Sequence, residues 1–499
     1  MKSTKRFLSL LLIFILLVST VALTSCKKIN RAPASASAEK SNANYISNVE
    51  IKDGSIFVTY SKDPNNPVKI GDFGFDGETA SDSSLKFFPL PSGTYGVTAG
   101  NAKYLEEITI PETYNGKPVT TILDRAFEGS INLKKLSVPS SITNVGDYAF
   151  DGCDNLEYNE DKNGLYLGSS ANPYSIFIST ASTAITSCTV NEGTKVIYND
   201  AFNKCTYLKN ITLPASVTSI GHRAFRDCNA LSKINIPEAV YFIGAEAFYN
   251  CKTLKSVSIP KAVETIGISA FFNCTSLTTA TFADDCLITS IGNETFGNCS
   301  KLTSIKIPKN VVSIGDSKIT EATSGAFSGC SNLSAVTFAE GSALKQIGNY
   351  TFTSCGLLKT VALPSTLEKI GVGAFRSCDL KEITIPNGVT TIAPEAFFAN
   401  ASLSKVTLSA ETVSINFKAF AACKALTSIT IPAKVTYIGE NAFFESGLKT
   451  ATVADAQNWI AVESDKTEKI SSTDFSTPAK AATIFTTTYY DYQFYKQTT

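Results

Sequence analysis

The sequence predicts a solenoid, in which short repeating units stack on one another and share one core. Two observations predict it. A phenylalanine that usually follows alanine recurs through most of the 499 residues, in steps that are mostly 22 or 23 residues long. A cysteine stands three residues after that phenylalanine in ten of the copies. A fixed period of this kind is typical of stacked units that are too small to bury their apolar side chains alone.

The full repeated phrase is Leu-x-x-Ile-x-Ile-Pro-x-x-Val-x-x-Ile-Gly-x-x-Ala-Phe-x-x-Cys, clearest in residues 231–251 and 254–274. Its period is that of leucine-rich repeats. The sequence therefore predicts a β-rich leucine-rich repeat solenoid with one parallel-sheet strand per turn, short return strands and 3₁₀ turns, capped at both ends. The repeated phenylalanines are Phe127, Phe150, Phe202, Phe225, Phe248, Phe271, Phe296, Phe327, Phe352, Phe375, Phe397, Phe420 and Phe443.

The first half of the phrase predicts two extended segments in each turn. Ile234 and Ile236 alternate with polar residues, so both face the same side of a strand. Pro237 lacks a backbone donor and predicts the end of that strand. Val240 and Ile243 then predict a short strand that returns along the opposite side of the turn.

The second half of the phrase predicts one turn of 3₁₀ helix that points its alanine and phenylalanine inward. Ser130, Asn400 and Ser446 replace the cysteine in other copies, which a required disulfide or metal would not allow. We therefore expect the cysteines to be buried free thiols. The expected structural ladder includes Cys205, Cys228, Cys251, Cys274, Phe225, Phe248 and Phe271.

The amino terminus predicts export. Basic residues precede an apolar run over residues 7–17, which is too short for a membrane span and typical of a signal peptide. The tetrad Leu-Thr-Ser-Cys that ends at Cys26 resembles the bacterial lipobox, which implies lipidation of Cys26. We interpret residues 1–25 as a lipoprotein signal peptide. A plain signal peptide with a chance cysteine is the alternative.

Composition divides the rest of the chain. Residues 26–48 are rich in Ala, Ser, Asn and Lys and predict a flexible tether. Residues 49–99 contain short strand patterns between turn clusters and predict a small β module or N-terminal cap. The solenoid is expected over residues 100–455, with an irregular insertion at 157–189, where one step between phenylalanines is 52 residues. Residues 456–499 are expected to form a C-terminal cap or tail.

The composition argues against several functions. Lys and Arg number 44, as do Asp and Glu, so no basic footprint for nucleic acid is present. His222 is the only histidine, and we interpret it as a solvated loop residue without a catalytic role. The sequence contains no Cys-x-x-Cys pair, the spacing that would suggest a zinc site. We therefore expect no catalytic residues, no metal site, no cofactor and no enzymatic activity.

The surface carries the candidates for binding. The middle outward position of the predicted strands is mostly Thr or Ser, which together would form a long stripe of small hydroxyl groups. Aromatic residues without a fixed core position are the sharper candidates, because aromatic anchors dominate many interfaces. Phe272, Phe398 and Phe444 directly follow the core phenylalanine and have an alternative role, which is to cover a lateral groove. The candidates are Tyr241, Phe242, Tyr249, Phe272, Phe398 and Phe444.

The repeated phrase, as it stands in residues 231–251, 254–274 and 358–378, resembles that of the BspA-like, or Treponema pallidum type, leucine-rich repeat proteins. The resemblance implies a bacterial surface protein that binds other proteins, such as extracellular matrix proteins or proteins of other cells. It implies no catalytic residues.

We therefore expect a cell-envelope lipoprotein at the outer membrane or cell surface, anchored in the membrane by its lipid. Its solenoid would mediate protein–protein interaction and adhesion. Glycan is a less favoured ligand, and nucleic acid is not expected. The alternative function is a structural spacer or antigenic coat component without a specific ligand.

Overall fold

A computed structural model describes residues 46–52, 55–60, 63–72, 84–316, 325–463, 466–470 and 472–497, with side chains omitted for 46–72, 466–469 and 472. Cys26 and the predicted signal peptide lie outside the described residues. The chain divides into two compact units, Met1–Ser81 and Asp82–Thr499.

The first unit contains one antiparallel sheet of three strands, in the order β1-β2-β3. Val58 of the central strand lies opposite Val49 on one side and Val68 on the other. The strands are β1 (Ile46–Lys52), β2 (Ser55–Tyr60) and β3 (Asp63–Asp72).

The second unit begins within the segment that the sequence assigns to the small β module, because residues 84–99 pair with the first repeat. β5 lies between β4, which is antiparallel to it, and β8, which is parallel to it. A tight hairpin joins β7 to β8 through Asn115 and Gly116, whose φ angles of 49° and 71° suit an Asn-Gly turn. The strands are β4 (Lys86–Pro89), β5 (Tyr95–Thr98), β6 (Glu107–Thr109), β7 (Thr113–Tyr114), β8 (Lys117–Ile122), β9 (Lys135–Ser137) and β10 (Asn144–Val145), and a 3₁₀ helix spans Gly100–Tyr104.

The insertion at residues 157–189 contains four strands, of which β11 and β13 are both antiparallel to β12. The sheet then continues in parallel through β15. The strands are β11 (Asn159–Asp161), β12 (Gly164–Leu167), β13 (Ile176–Thr180), β14 (Ser187–Thr189) and β15 (Val196–Ile197).

The insertion also divides the hydrophobic core into two clusters. Leu167 and Ile176 pack with the first repeats, whereas Tyr166 and Phe177 pack with the later ones. Alternate residues of a strand face opposite sides, so the hairpin of β12 and β13 serves both clusters at once.

From residue 210 the repeat is regular, and the second unit forms a solenoid of about 15 turns, as the sequence predicts. The strands are β16 (Asn210–Thr212), β17 (Ser219–Ile220), β18 (Phe242–Ile243), β19 (Ser256–Ile259), β20 (Thr265–Ile266), β21 (Thr279–Phe282), β22 (Ser290–Ile291), β23 (Ser304–Ile307), β24 (Ser313–Ile314), β25 (Ala335–Phe338), β26 (Gln346–Ile347), β27 (Lys369–Ile370), β28 (Glu382–Thr384), β29 (Thr391–Ile392), β30 (Lys405–Thr407), β31 (Ser414–Ile415), β32 (Ser428–Ile431), β33 (Tyr437–Ile438) and β34 (Thr450–Val453).

Two sets of parallel strands run along the stack. The strands of the Leu-x-x-Ile-x-Ile part, which we call the main strands, are β6, β9, β14, β16, β19, β21, β23, β25, β28, β30, β32 and β34. The return strands are β8, β10, β15, β17, β18, β20, β22, β24, β26, β27, β29, β31 and β33. The main sheet is interrupted, since residues 233–236 form no strand although Ile234 and Ile236 are buried as predicted.

The third side of each turn is held by a one-way ladder of backbone hydrogen bonds. Alternate N–H groups around each core phenylalanine donate to carbonyl oxygens of the following turn, and those of Arg223, Phe225 and Asp227 do so at 2.7–2.9 Å. The amides between them close 3₁₀-type bonds within their own turn, as from Arg226 to Arg223 at 3.0 Å. Arg223 and Asp227 are left-handed, with φ of 55° and 60°. Each regular turn therefore places side chains in a conformation that favours glycine.

We expect Ala422→Gly to stabilise the protein, because Ala422 has a φ of 57°. Relief of the left-handed strain is worth about 1–2 kcal/mol, of which the greater freedom of glycine in the unfolded chain removes about 0.4–1 kcal/mol. Denaturant unfolding should show a net gain of about 0.5 kcal/mol or more. The control is Ala421→Gly, at a buried neighbour without a positive φ, which should destabilise the protein. Equal effects of the two changes would contradict the assignment.

The core phenylalanines form a column of parallel rings. From Phe202 to Phe443 successive centroids are 4.8–5.8 Å apart. The column extends further than the repeated phrase, because Phe177 of the insertion stacks on Phe202 at 4.6 Å and Phe485 packs on Phe443 at 5.7 Å.

The residues after the last repeat close that end of the stack. β37 pairs antiparallel with β33 and with β35, and Phe494 at its centre is buried. Thr477 caps the one α-helix of the described residues, with its hydroxyl accepting from the N–H of Lys480 at 3.3 Å. The elements are β35 (Trp459–Glu463), β36 (Lys466–Lys469), a 3₁₀ helix (Ser472–Phe475), α1 (Pro478–Thr483), a π-helical turn (Ile484–Thr488) and β37 (Gln493–Lys496).

Candidate protein-interaction surface

The cysteine ladder has a hydrogen-bonding role in the interior. Cys251 Sγ donates to the carbonyl oxygen of Phe225 in the preceding turn at 3.2 Å, and Cys228 and Cys274 make the same bond in their own turns. The twelve cysteines of the described residues are all buried free thiols. Cys205 differs, since its sulfur contacts the hydroxyl of Thr180 at 3.6 Å. The thiols therefore link turns without covalent bonds.

Burial makes these thiols chemically inert. Desolvation raises the pKa of Cys274 and of Cys330 to about 12, and it raises the pKa of Cys251 well above the ordinary thiol value. The thiolate is the nucleophile and the metal ligand, so these side chains are held in the unreactive form.

The replacements in the cysteine position show which property matters there. Asn400 Nδ2 donates to the carbonyl oxygen of Phe375 at 2.7 Å, the bond that a cysteine would otherwise make. Ser446 has a shorter side chain, and its buried hydroxyl has no hydrogen-bond partner. Ser130 also lacks a partner for its buried hydroxyl. Cysteine and asparagine therefore make the bond to the preceding turn at this position, whereas the two serines do not.

His222 lies in a turn and has a structural role there. It is half-buried, and its Nδ1 accepts from the N–H of Ala245 in the next turn at 2.8 Å. Asn199, Asn293 and Asn349 occupy the same position in their turns and accept in the same way. The sequence holds a signal for this role, because the residue after Ile-Gly or its equivalent is a side-chain acceptor in several copies.

The candidate aromatics Tyr249 and Phe272 cover one another. The rings of Tyr249 and Phe272 stack at 5.2 Å, and the guanidinium of Arg226 lies 4.7 Å from the centre of the Tyr249 ring. The far side of Phe272 contacts Gly297, where an added Cβ would lie 2.8 Å from the ring. Both rings are therefore half-buried with their faces occupied, as the alternative role of groove cover predicts.

The other candidates are also half-buried. Arg376 lies 4.7 Å from the centre of the Phe398 ring, and Phe444 stacks on Tyr490 of the C-terminal segment at 5.1 Å. In the return strands, the Tyr241 hydroxyl donates to a backbone carbonyl at 3.3 Å, and Phe242 meets the edge of the His222 ring. The structure brings Tyr249 and Phe272 together and leaves Phe398 and Phe444 in separate turns.

The outward face of the main strands is a regular and accessible surface. Ser256 and Ser258 of β19 are exposed, as are Thr279 and Thr281 of β21, while Val257 between them is buried. Two columns of hydroxyl side chains therefore run side by side across these turns. Such a face offers donors and acceptors with little charge.

Charged side chains on the same surface are paired between turns. Lys135 contacts Glu107 at 3.0 Å, and Lys306 contacts Asp284 at 3.2 Å. These pairs are exposed and contribute little to stability.

Two negative findings concern the described residues only. None of their helices is long and apolar enough to span a membrane. No group of three or more His, Cys, Asp or Glu side chains among them is arranged to hold a metal ion.

The repeats match a protein-family model described as the BspA type leucine rich repeat region. Six copies of the model align with this chain, at residues 98–171, 175–288, 243–357, 286–398, 345–464 and 393–489. No curated protein shows significant similarity to the chain.

The chain is also similar to several solved structures. A leucine-rich repeat protein from Bacteroides ovatus is 23% identical, covering 74% of this chain and 87% of its own, with a TM-score of 0.42. A leucine rich cell surface protein from Faecalibacterium prausnitzii is 26% identical over 75% of this chain and 88% of its own, with a TM-score of 0.37. The leucine rich repeat protein of T. pallidum is 21% identical over 56% of this chain and 90% of its own, with a TM-score of 0.23.

The family model covers well over half of the chain, and its matches begin at residue 98, within the first sheet of the second unit. The stacked turns, the phenylalanine column and the thiol ladder are the physical counterpart of that match. The chain belongs to the BspA type leucine rich repeat family.

Proposed function

We propose that this protein is a lipid-anchored bacterial envelope protein whose solenoid binds other proteins and serves in adhesion. The observation that carries the proposal is the family match over residues 98–489, since leucine-rich repeat proteins generally bind proteins. Leucine-rich repeat solenoids of this family are typically not enzymes. Extracellular matrix proteins and surface proteins of other cells are the proposed partners.

The outward face of the main strands is the proposed contact surface. It repeats in register over adjacent strands, as from β19 to β21, where Ser258 lies beside Thr281. Small exposed hydroxyls lose little side-chain entropy on binding, and they allow a partner backbone to approach closely. The stacked faces of Tyr249 and Phe272 make those aromatics weaker candidates than the sequence alone suggests.

Cys26 is proposed as the lipidation site, which would hold the protein at the outer membrane or cell surface. The support is the lipobox-like tetrad and the apolar run before it. Mass spectrometry of the amino-terminal peptide from membrane fractions would test the anchor. An unmodified Cys26, or a mature chain that begins elsewhere, would contradict it.

The experiment for the binding function uses the full chain and immobilised fibronectin, fibrinogen and collagen. We expect saturable binding to at least one of them, weakened about tenfold or more by Ser258→Arg with Thr281→Arg, because two bulky charges would stand in the contact face. The matched control is Tyr249→Ala with Phe272→Ala, which should change binding less than about twofold, because these rings are already covered.

Two outcomes would redirect the proposal. Loss of binding in the aromatic variant alone would move the contact surface to the lateral column. Absence of saturable binding to these proteins and to intact partner cells would favour the spacer or coat component over the adhesin.

A further inference from the structure

The main sheet opens between β25 and β28. The segment between them, residues 360–363, pairs with β25 only through an isolated parallel bridge between Val336 and Val361. Neither a strand pair nor a bridge joins this segment to β28, and the one backbone hydrogen bond between them runs from Lys381 N–H to the Lys359 carbonyl oxygen at 2.9 Å. The gap contains a cleft of about 720 Å³.

The cleft has an apolar floor and a polar rim. Val361, Ile383 and Ile385 are buried along the floor. Thr360 and Thr384 are exposed at the rim. The lining therefore alternates along each strand in the same way as the faces of an intact sheet.

A short corner accompanies the opening. Only one residue separates Cys378 from Leu380, whereas two separate Cys251 from Leu254 in a regular turn. The N–H of Leu254 donates to Cys251, but that of Leu380 donates to the side chain of Asn400 at 3.2 Å. The strand that follows the short corner is β28.

The chain contains a second short corner, at Ser446-Gly447-Leu448, where the sheet stays closed and β34 pairs with β32. There Gly447 approaches the preceding turn so closely that a Cβ would lie 2.1 Å from the carbonyl oxygen of Lys424. Asp379 holds the corresponding position before β28, and its side chain excludes the same approach. The main strands are also unpaired between β30 and β32, where the corner has the regular length. What favours the gap before β28 as a binding site is therefore the cleft that it contains.

The free edge of β28 determines what the cleft can hold. Its other edge is fully paired, from Glu382 with Lys405 to Thr384 with Thr407. Backbone donors and acceptors that repeat along an extended edge are matched by another extended chain and by few other ligands. A strand of about four residues would span the free edge of β28.

We propose that this cleft binds an extended peptide segment of a partner protein, which adds to β28 as a strand. The segment would alternate apolar residues, facing Val361 and Ile383, with small polar residues facing outward. The chain contains a sequence of this type, since Ser256–Ile259 pairs in parallel with the next main strand in an intact part of the sheet. The inference rests on the proposed function and names the chemistry of one partner.

The test uses the full chain and a synthetic peptide with the sequence of residues 253–260, measured by calorimetry or fluorescence anisotropy. We expect saturable binding that Thr384→Arg weakens about tenfold or more, because the new side chain obstructs the free edge. The matched control is Thr281→Arg, at the same exposed position of β21, which pairs with β19 on one edge and with β23 on the other, and it should leave binding within about twofold. A peptide with N-methyl groups on alternate residues should bind about tenfold more weakly, because it loses backbone hydrogen bonds.

Equal binding of the peptide by both arginine variants, or equal binding of the N-methylated peptide, would overturn the proposal. So would the absence of saturable peptide binding to the unmodified chain. These results leave the matrix-protein experiment untouched, because its contact-face variants lie at Ser258 and Thr281, away from the cleft. The matrix-protein experiment tests the proposed function, and the peptide experiment tests the strand-addition site.

Discussion

Phe248→Ala is expected to cost about 3–5 kcal/mol of unfolding free energy, since Phe248 is fully buried and a large cavity would replace its ring. The ring stacks on Phe225 and on Phe271 at 5.1 Å, so two aromatic contacts are lost together, each worth about 0.5–1.5 kcal/mol beyond the buried area. No other side chain of the same turn stacks on Phe225 and Phe271 in its place. The substitution therefore weakens the packing of this turn against both of its neighbours.

The measurement combines urea unfolding with hydrogen exchange. Because each turn contacts only its neighbours, we expect amides of residues 202–296 to lose protection and those of residues 375–443 to keep it. Tyr207→Ala is the control, since Tyr207 is 63% exposed, and it should change stability by less than about 0.5 kcal/mol. A cost below about 1 kcal/mol for Phe248→Ala would contradict the proposed role of the phenylalanine column.

Alkaline pH is expected to unfold the protein steeply. Burial raises the pKa of Cys274, Cys330, Cys378 and Cys423 to about 12, compared with 9.0 for an ordinary thiol. Below pH 9 these thiols are protonated in both the folded and the unfolded chain. Their ionisation therefore does not lower the free energy of unfolding in that range. Above that pH the unfolded chain ionises first, and each thiol lowers the free energy of unfolding by about 1.4 kcal/mol per pH unit until the folded pKa is passed. The four together give about 5 kcal/mol per unit above pH 10.

The check is urea unfolding at several pH values from 8 to 11 under a reducing agent. Cys274→Ala should make the dependence on pH shallower by about 1.4 kcal/mol per unit, because one titrating group is removed. Tyr166, whose pKa burial raises to about 12, adds to the loss at the upper end of the range. Stability that stays constant between pH 9 and pH 11 would show that the thiols are not protected from ionisation.

The sequence alone predicts the repeat, the inward phenylalanine and the buried thiols, because each appears in many copies and averages over local variation. Features that occur once were harder to predict. Phe177 and Phe485 extend the phenylalanine column from segments without the repeated phrase, so only tertiary packing reveals them. The division of the core by the insertion depends on β12 and β13 forming a hairpin with two buried faces.

The candidate site was less predictable than the scaffold. Whether Tyr249 is available to a partner depends on Arg226 and Phe272, which lie in neighbouring turns and contact it only after stacking. The cleft beside β28 lies next to a corner that is one residue short. The period of the sequence records the short corner, but it does not show where the main strands stop pairing.

The one-way ladder beside the phenylalanine column gives the solenoid a polarity. Each turn presents N–H groups toward its successor and carbonyl groups toward its predecessor, so the two ends require different closing segments. Ala99 supplies a donor to the Ala126 carbonyl oxygen at the start, and Tyr490 supplies an acceptor for the Asn441 N–H at the finish, both at 2.7 Å. Whole turns can therefore be gained or lost between these ends, lengthening or shortening the binding face by one strand at a time, while the terminal segments continue to fit.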